Sequence, residues 1–426
     1  MVTIMFSCMV VLLVLAFPMM ISVIIGPIAV MYLYYSDVLQ PEMLLQQMVS
    51  GVRLMSLIAI PLFIFSAGIM TKGTTADRLI NLVLALIQHR KGGLGIATAW
   101  ACTMFGAISG SSQATVVAMG RPLLPRLVSL GYSTSFSLAL IISSANIALL
   151  IPPSMAFIIY GVVTGSSVGK LFIAGIFPGV ILAILFSIYT FINAWIAGVP
   201  THERMTWKER RRALWESLPS LGFPILIIGG IYTGLTSPNE AAGISLLYAV
   251  ILEMVVYRTI NFKDIYDVAL ETGIVTTVVF ILIAVGAAFS WLITFAQIPD
   301  QILPIIFGLN PSAIHTLYVI TAIFFVACMF IDSVVAIMVI TPIVFPLAKS
   351  VGIDPIVLGT IITTQAALGG ITPPFGCNIF TAVAVFRRPY LETVRSVPVF
   401  IILTVIMSIM LIHFPEISLF LTRFGG

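Results

Sequence analysis

Apolar residues dominate this chain in long runs, and polar residues fall between the runs in short clusters. Runs of about 20 apolar residues match the hydrocarbon thickness of a bilayer. Residues 4–34 read as one long span bent at Pro18, and residues 51–70 as a second, joined through Asp37 and Glu42. Residues 75–88 differ. There Leu79, Ile80, Val83, Leu86 and Ile87 recur at helical spacing, with Asp77 and Arg78 nearby and His89, Arg90 and Lys91 following. This pattern predicts an amphipathic helix on the membrane surface.

Residues 93–107 are too short to cross a bilayer and run into Ser109, Gly110, Ser111 and Ser112. A second short helix over 114–130 follows and stops at Gly131. Two half-length helices joined by a polar glycine turn predict a re-entrant hairpin with its tip at mid-membrane. The pattern returns at 312–330, Asp332 and Ser333, then 336–350. Ordinary spans are expected over 172–197, 218–235, 241–257, 272–295 and 397–421. Residues 262–270 are expected as the surface counterpart of 75–88, and 201–217 as a basic loop.

Residues 136–163 and 356–385 each carry a double proline, Pro152-Pro153 and Pro373-Pro374. Proline lacks a backbone N–H and clashes with the carbonyl four residues back, so both helices break there. In a bilayer a broken helix is tolerated only where protein or a water-filled cavity satisfies the freed groups. Aligning the two proline pairs also aligns Ser112 with Ser333, Pro125 with Pro346, Ser129 with Ser350, Gly131 with Gly352 and Ala145 with Ala366, without gaps. Matching break and turn residues at one offset point to an internal repeat and to a transporter's binding site between its halves.

Basic residues orient the halves. With Arg204, Lys208, Arg210, Arg211 and Arg212 placed in the cytoplasm, Arg90, Lys91, Arg126, Arg258, Lys263, Arg387, Arg388 and Arg395 fall there too, and only Arg53, Lys170, Lys349 and Arg423 fall near the outer ends. The first hairpin then enters from the cytoplasm and the second from outside, so the repeats are inverted. The same count puts the N-terminus in the cytoplasm and the C-terminus in the periplasm.

Composition narrows the chemistry. Of 426 residues, 60% are hydrophobic and 8% charged, and mean hydropathy is +1.16, which excludes a soluble domain. The net charge of +4 sits in short loops and gives no nucleic-acid signal. Cys8, Cys102, Cys328 and Cys377 lie in apolar runs without CxxC spacing, so neither disulfides nor a zinc site are indicated. No HExxH, Walker A or GxSxG motif occurs, and paired catalytic residues are lacking, so an enzyme is not expected.

Three polar clusters remain: Ser109 to Ser112 with Thr115; Ser143, Ser144, Asn146 and Ser154; and Asp332, Ser333, Thr341, Thr363, Thr364, Gln365, Gly369, Gly370, Thr372, Asn378 and Thr381. Their hydroxyls, amide oxygens and unwound carbonyls suit a weakly held Na⁺, with helix N-termini facing an anion. Single serines, threonines and glycines equally let membrane helices pack closely. Asp332, an acid at a mid-membrane tip, is functional by default, the alternative being a hydrogen bond to the hairpin's own amides. Glu240 is expected to cap a helix after Ser237, and Glu253 to lie at the interface. Arg121 either snorkels to the surface or meets an anion.

Together these stretches resemble the large membrane subunit of a TRAP transporter (tripartite ATP-independent periplasmic transporter) of the DctM or SiaM type. The matching segments are Ser109 to Ser112, Leu149 to Ser154 running into Tyr160, Gly161, Thr164 and Gly165, Lys170 to Gly175, Ser237 to Ala242, Ile340 to Pro346, and Ile371 to Pro374. They span nearly the whole chain. Phe375 and Cys377 stand where smaller or aliphatic residues are commoner in the family.

The resemblance implies an all-α integral membrane protein, an inverted-repeat elevator-type secondary transporter with two re-entrant helical hairpins and two broken helices. Residues 1–92, 166–311 and 386–426 would form a scaffold, and 93–165 and 312–385 the moving transport repeats. It implies Na⁺-coupled import of a small organic acid across the inner membrane. It also implies two partners, a separate small four-helix membrane subunit (DctQ type) and a periplasmic substrate-binding protein (DctP type). Substrate contacts would fall on Ser109, Ser154 and Asp332, and Na⁺ ligands on Ser111, Ser112, Asn146, Gly369, Gly370 and Thr372. A self-sufficient Na⁺- or H⁺-coupled carboxylate transporter of similar architecture is the alternative.

Overall fold

The computed structural model describes residues 2–15, 17–201, 203–308 and 311–423. Residues 1, 16, 202, 309–310 and 424–426, all within the expected scaffold segments, lie outside the described residues. Those described contain helices and no strand, and seven helices are long and apolar enough to cross a membrane.

The first span is two helices rather than one bent rod. α1 (Val2–Val14) and α2 (Met19–Tyr34) pack side by side, and a Cβ at Gly26 would lie 2.8 Å from the Met5 carbonyl oxygen. Pro18, at the start of α2, opens the turn where a bend was expected. α3 (Pro41–Val52), unforeseen as a helix, starts with proline in its first turn, where the missing N–H costs nothing. A 3₁₀ turn (Met55–Ile58) then leads into α4 (Ala59–Lys72).

α5 (Thr75–Ile87) is the expected amphipathic helix, with its apolar face against α6 (Gly93–Ser109) and α11 (Trp207–Tyr232). α6 and α7 (Ser112–Ser129) form the first hairpin. α8 (Thr134–Ala145) tightens into a 3₁₀ turn (Asn146–Leu149), breaks at Pro152-Pro153 and restarts as α9 (Met155–Thr164). α10 (Val168–Ile196) is an uninterrupted span.

α11 replaces most of the expected loop 201–217. Thr206 and Glu209 form a reciprocal capping box that satisfies its first amides, so Lys208, Arg210, Arg211 and Arg212 ride on helical turns. α12 (Pro238–Val250) starts on a second capping box, Ser237 with Glu240, as expected for Glu240. It continues into a π-helical segment (Ile251–Val256) that turns Glu253 inward.

Glu253 is therefore not interfacial. It is fully buried and accepts from the Thr74 and Thr75 amides at 3.2 Å and from the Thr75 and Thr259 hydroxyls at 2.5 Å. A carboxylate from the π-helical segment thus holds the first turn of α5, where the unpaired amides of a helix N-terminus favour an anion.

α13 (Phe262–Phe295) is one helix of 34 residues, where a surface stretch and a separate span were expected. Asn261 and Asp264 cap it, and nothing in its interior breaks it. The true counterpart of α5 is α14 (Ile298–Phe307). Shifted by the 221 residues that separate the proline pairs, α5 falls on this segment, while α3 and α4 together fall on α13.

α15 (Ala313–Phe330) and α16 (Ser333–Ser350) form the second hairpin, and α17 (Pro355–Ile371) and α18 (Cys377–Phe386) the second broken helix. α7 and α16 match residue for residue at the same offset, each with 18 residues. After α19 (Tyr390–Val394), α20 (Val397–His413) ends two residues before Pro415, short of the expected 421. α21 (Glu416–Leu419) and a 3₁₀ turn (Leu421–Arg423) follow, with Arg423 paired to Glu416 at 2.6 Å.

Small residues let these helices approach, the usual device where lipid removes the hydrophobic drive between helices. A Cβ on Gly106 of α6 would sit 2.7 Å from the Ala148 Cβ at the first break. On the opposite side, Gly369 packs on Cys328 of α15. Each hairpin's first helix is thereby pressed against its own broken helix.

Candidate functional site

The first hairpin tip is tied by its own hydroxyls. Gly110 turns it at φ 60°, a left-handed conformation that glycine takes without cost. The Ser111 hydroxyl accepts from the Ala114 amide and caps α7. The Ser109 and Thr115 hydroxyls lie 2.9 Å apart, and both reach the Ser111 carbonyl. Gly110 also rests against the Pro153 carbonyl, so tip and break touch.

Between the halves stands a buried amide joint. The Asn146 Nδ2 donates to the Ala367 carbonyl at 2.5 Å, and its Oδ1 accepts from Asn378 Nδ2 at 2.7 Å. Asn378 Nδ2 also reaches the Ile142 carbonyl, and its Oδ1 accepts from Ser112 at 3.1 Å. Hairpin one, break one and break two therefore meet through two asparagines. A Cβ at Gly370 would stand 3.1 Å from Asn146 Oδ1 and 3.4 Å from the Cys377 sulfur, so a side chain there would press on the joint. The Cys377 thiol in turn bonds Gln113 of α7 and neighbours Asp332 of the second hairpin. Asn378 stood among the candidate polar residues without a site role. Gln113 was missed, and an amide directly after the Ser-Ser tip was its only signal.

The expected substrate trio is spread over three elements. Ser109 lies at the first tip. Ser154 is fully buried, gives its proton to the Leu149 carbonyl at 2.6 Å and caps α9. Asp332 is exposed at the second tip, and its Oδ1 caps α16 by accepting the Val334 amide at 2.9 Å. Of the expected Na⁺ set, Ser112 and Asn146 share the joint, with Gly370 against it. Gly369 packs on Cys328, Thr372 donates to the Leu368 carbonyl, and Ser111 faces the first tip.

Among the described residues, the buried hydroxyls of Ser143 and Ser144 on α8, Thr341 on α16 and Thr363 on α17 lack partners, and every one is a neutral oxygen. Arg121 reaches a surface pocket that it shares with Arg388, as snorkelling requires.

A cavity of about 480 Å³ opens beside the first tip. Ser109, Ser111 and Gln113 form one wall, and Lys72 of α4 with Glu271 and Thr272 of α13 form the other.

Membrane-spanning helices, paired hairpins and paired breaks around a polar centre define a transport permease of inverted-repeat, elevator-type architecture. The chain belongs to the tripartite ATP-independent periplasmic transporter family, DctM component, which matches residues 6–417. It is 53% identical to the ectoine/5-hydroxyectoine TRAP transporter large permease protein UehC of Ruegeria pomeroyi, over 98% of this chain and 97% of that one. It is 52% identical to the ectoine TRAP transporter large permease protein TeaC of Halomonas elongata, over 99% of each. Identity to the C4-dicarboxylate large permease protein DctM of Pseudomonas aeruginosa is 35%, over 87% of each. Among solved structures the fold is similar to the YdaH transporter of Alcanivorax borkumensis, with TM-score 0.66 at 14% identity, over 90% of this chain and 89% of that one.

Proposed function

We propose that this chain is the large permease of a Na⁺-coupled importer of ectoine-type compatible solutes, small cyclic zwitterions bearing a carboxylate. The observation that carries it is the Asn146–Asn378 joint between the two repeats, beside a cavity at the first hairpin tip. Whole-length identity above 50% to two ectoine permeases supports the substrate. An organic acid remains the broad class, because ectoine carries a carboxylate.

Residues 93–165 and 312–385 are the moving part, sliding against 1–92, 166–311 and 386–426. Na⁺ binds near the joint, drawing on Ser111, Ser112, Asn146, Gly369, Gly370 and Thr372, and orders hairpin and breaks together. The substrate carboxylate meets the first tip at Ser109, near the N-terminus of α7, where a dipole end favours an anion. Ser154 supports that tip from behind, and Asp332 serves the second. A small four-helix membrane subunit braces the outer helices, and a periplasmic binding protein delivers the solute. The complex sits in the inner membrane. Counting α1 and α2 as two passes moves the N-terminus to the periplasmic side and leaves the basic residues cytoplasmic.

The test is uptake into proteoliposomes carrying the purified large and small subunits, with the binding protein outside. Ectoine uptake driven by an inward Na⁺ gradient, and absent without the binding protein, is the expected result. Full uptake by the large chain alone would end the tripartite reading, and uptake that follows protons while ignoring Na⁺ would transfer coupling to Asp332.

A further inference from the structure

Glu271 has no assigned part in the expected site, and its surroundings are unusual. It lies ten residues into α13, counting from Phe262. It is exposed, and among the described residues it has no hydrogen-bond or ion-pair partner; a carboxylate on a membrane helix is costly against lipid unless it faces a polar cavity or serves a site. Val268, Glu271, Thr272 and Val275 recur every three or four residues along one face of α13, and all four line the 480 Å³ cavity. Across it stand the neutral donors and acceptors of the first tip, Ser109, Ser111 and Gln113. Lys72 contributes the cavity's one cation among its lining residues, and it already leans on Asp264 at 3.8 Å. The cavity is therefore polarised. Its hairpin wall presents the capped N-terminus of α7, which favours an anion, and its α13 wall presents an unneutralised carboxylate, which favours a cation.

We infer that Glu271 is a specificity-determining residue that binds the cationic end of a zwitterionic substrate while the hairpin tip holds the carboxylate. This deepens the proposed function and rests on its placement of substrate at the first tip. A delocalised amidinium of the kind ectoine carries would make a charge-assisted hydrogen bond to Glu271. A dicarboxylate would instead set a second anion against Glu271, so the same residue selects by repulsion. Because one wall belongs to the hairpin and the other to α13, the solute would bridge the two walls.

The experiment is uptake by the full complex in proteoliposomes, with the wild type, Glu271→Gln and Asp267→Asn compared. Asp267 lies one turn away on α13 and outside the cavity lining. Probes are ectoine, proline, glycine betaine and succinate, and the recovered complex is checked by size-exclusion chromatography. Glu271→Gln is expected to raise the KM for the transported zwitterion about ten-fold or more, the size of one charge-assisted contact, while Asp267→Asn stays at wild type. Discrimination against succinate should weaken in the Gln variant. Unchanged zwitterion KM in Glu271→Gln, or a wild type that carries only succinate, overturns the inference. Failure of ectoine alongside Glu271-dependent uptake of proline or betaine would overturn the ectoine reading and leave this inference standing.

Discussion

Asn146 donates to the carbonyl of Ala367, the residue that occupies its own place in the other repeat, at an offset of 221 residues. The two breaks are thus joined at equivalent points by a side chain that only one of them carries. Exchange of Asn146 for Ala removes the side-chain donor to the Ala367 carbonyl and leaves Asn378 Nδ2 with the Ile142 carbonyl alone. Each buried bond lost costs about 0.5–1.5 kcal/mol, so Asn146→Ala should lower the Tm of the purified subunit and abolish any stabilisation by Na⁺. An unchanged Tm with Na⁺ stabilisation intact would remove the joint from the coupling site.

Gly110 turns the first tip with a left-handed backbone, and a Cβ there would press on the Pro153 carbonyl. Gly110→Ala should cost about 1–2 kcal/mol from backbone alone. The larger expected effect is a loss of uptake of more than about ten-fold, because the tip must shift away from the break that positions it. Normal uptake by a correctly assembled variant would show that tip and break need not touch.

Glu253 holds the start of α5 through three hydrogen bonds from Thr74 and Thr75, with a fourth from Thr259, and a Cβ at Gly73 would overlap its carboxylate. Charged acceptors of this kind contribute about 1.5–3 kcal/mol per bond removed, so Glu253→Ala should be strongly destabilising. Hydrogen exchange should rise first in the opening turn of α5 and spread less to α6. Uniform exchange along both helices would argue for global unfolding instead of a local anchor.

His89, in the turn after α5, accepts a hydrogen bond at Nδ1 from Arg210 Nη2 at 3.1 Å. Partial burial, then the charges of Arg210, Arg204 and Arg90, hold its imidazole below the usual value of 6.5. A lowered folded pKa means that the unfolded chain binds the proton more readily. Stability is therefore complete above about pH 6.5 and declines as pH falls below it. Thermal melts from pH 7.5 to 5 should show this decline, and His89→Gln should flatten it; an identical slope in the variant would place the effect elsewhere.

Much of the plan was legible because broken helices leave hard marks. Pro152-Pro153, Pro373-Pro374, Gly110 and the paired serines 112 and 333 set the hairpins and breaks, and α7 and α16 follow them to the residue. The offset held more than the apolar pattern offered, since it also locates α14, whose helix was obscured by Pro299 and Pro304. α13 escaped division because hydropathy cannot tell an interfacial stretch from the first turns of one long helix. Only the cap at Asn261 and the absence of a breaker join them.

By itself the sequence determined the class of protein, the repeat and the places where helices must break, since proline chemistry and apolar run length act locally. Tertiary structure alone decided that α1 folds back on α2, that Glu253 turns inward on a π-helical segment, and that Ser154 bonds its own chain while Gln113 and Cys377 face one another. It also set Glu271 opposite the first tip. These are pairings between residues far apart in the chain, and their partners are chosen by packing, which no local pattern encodes.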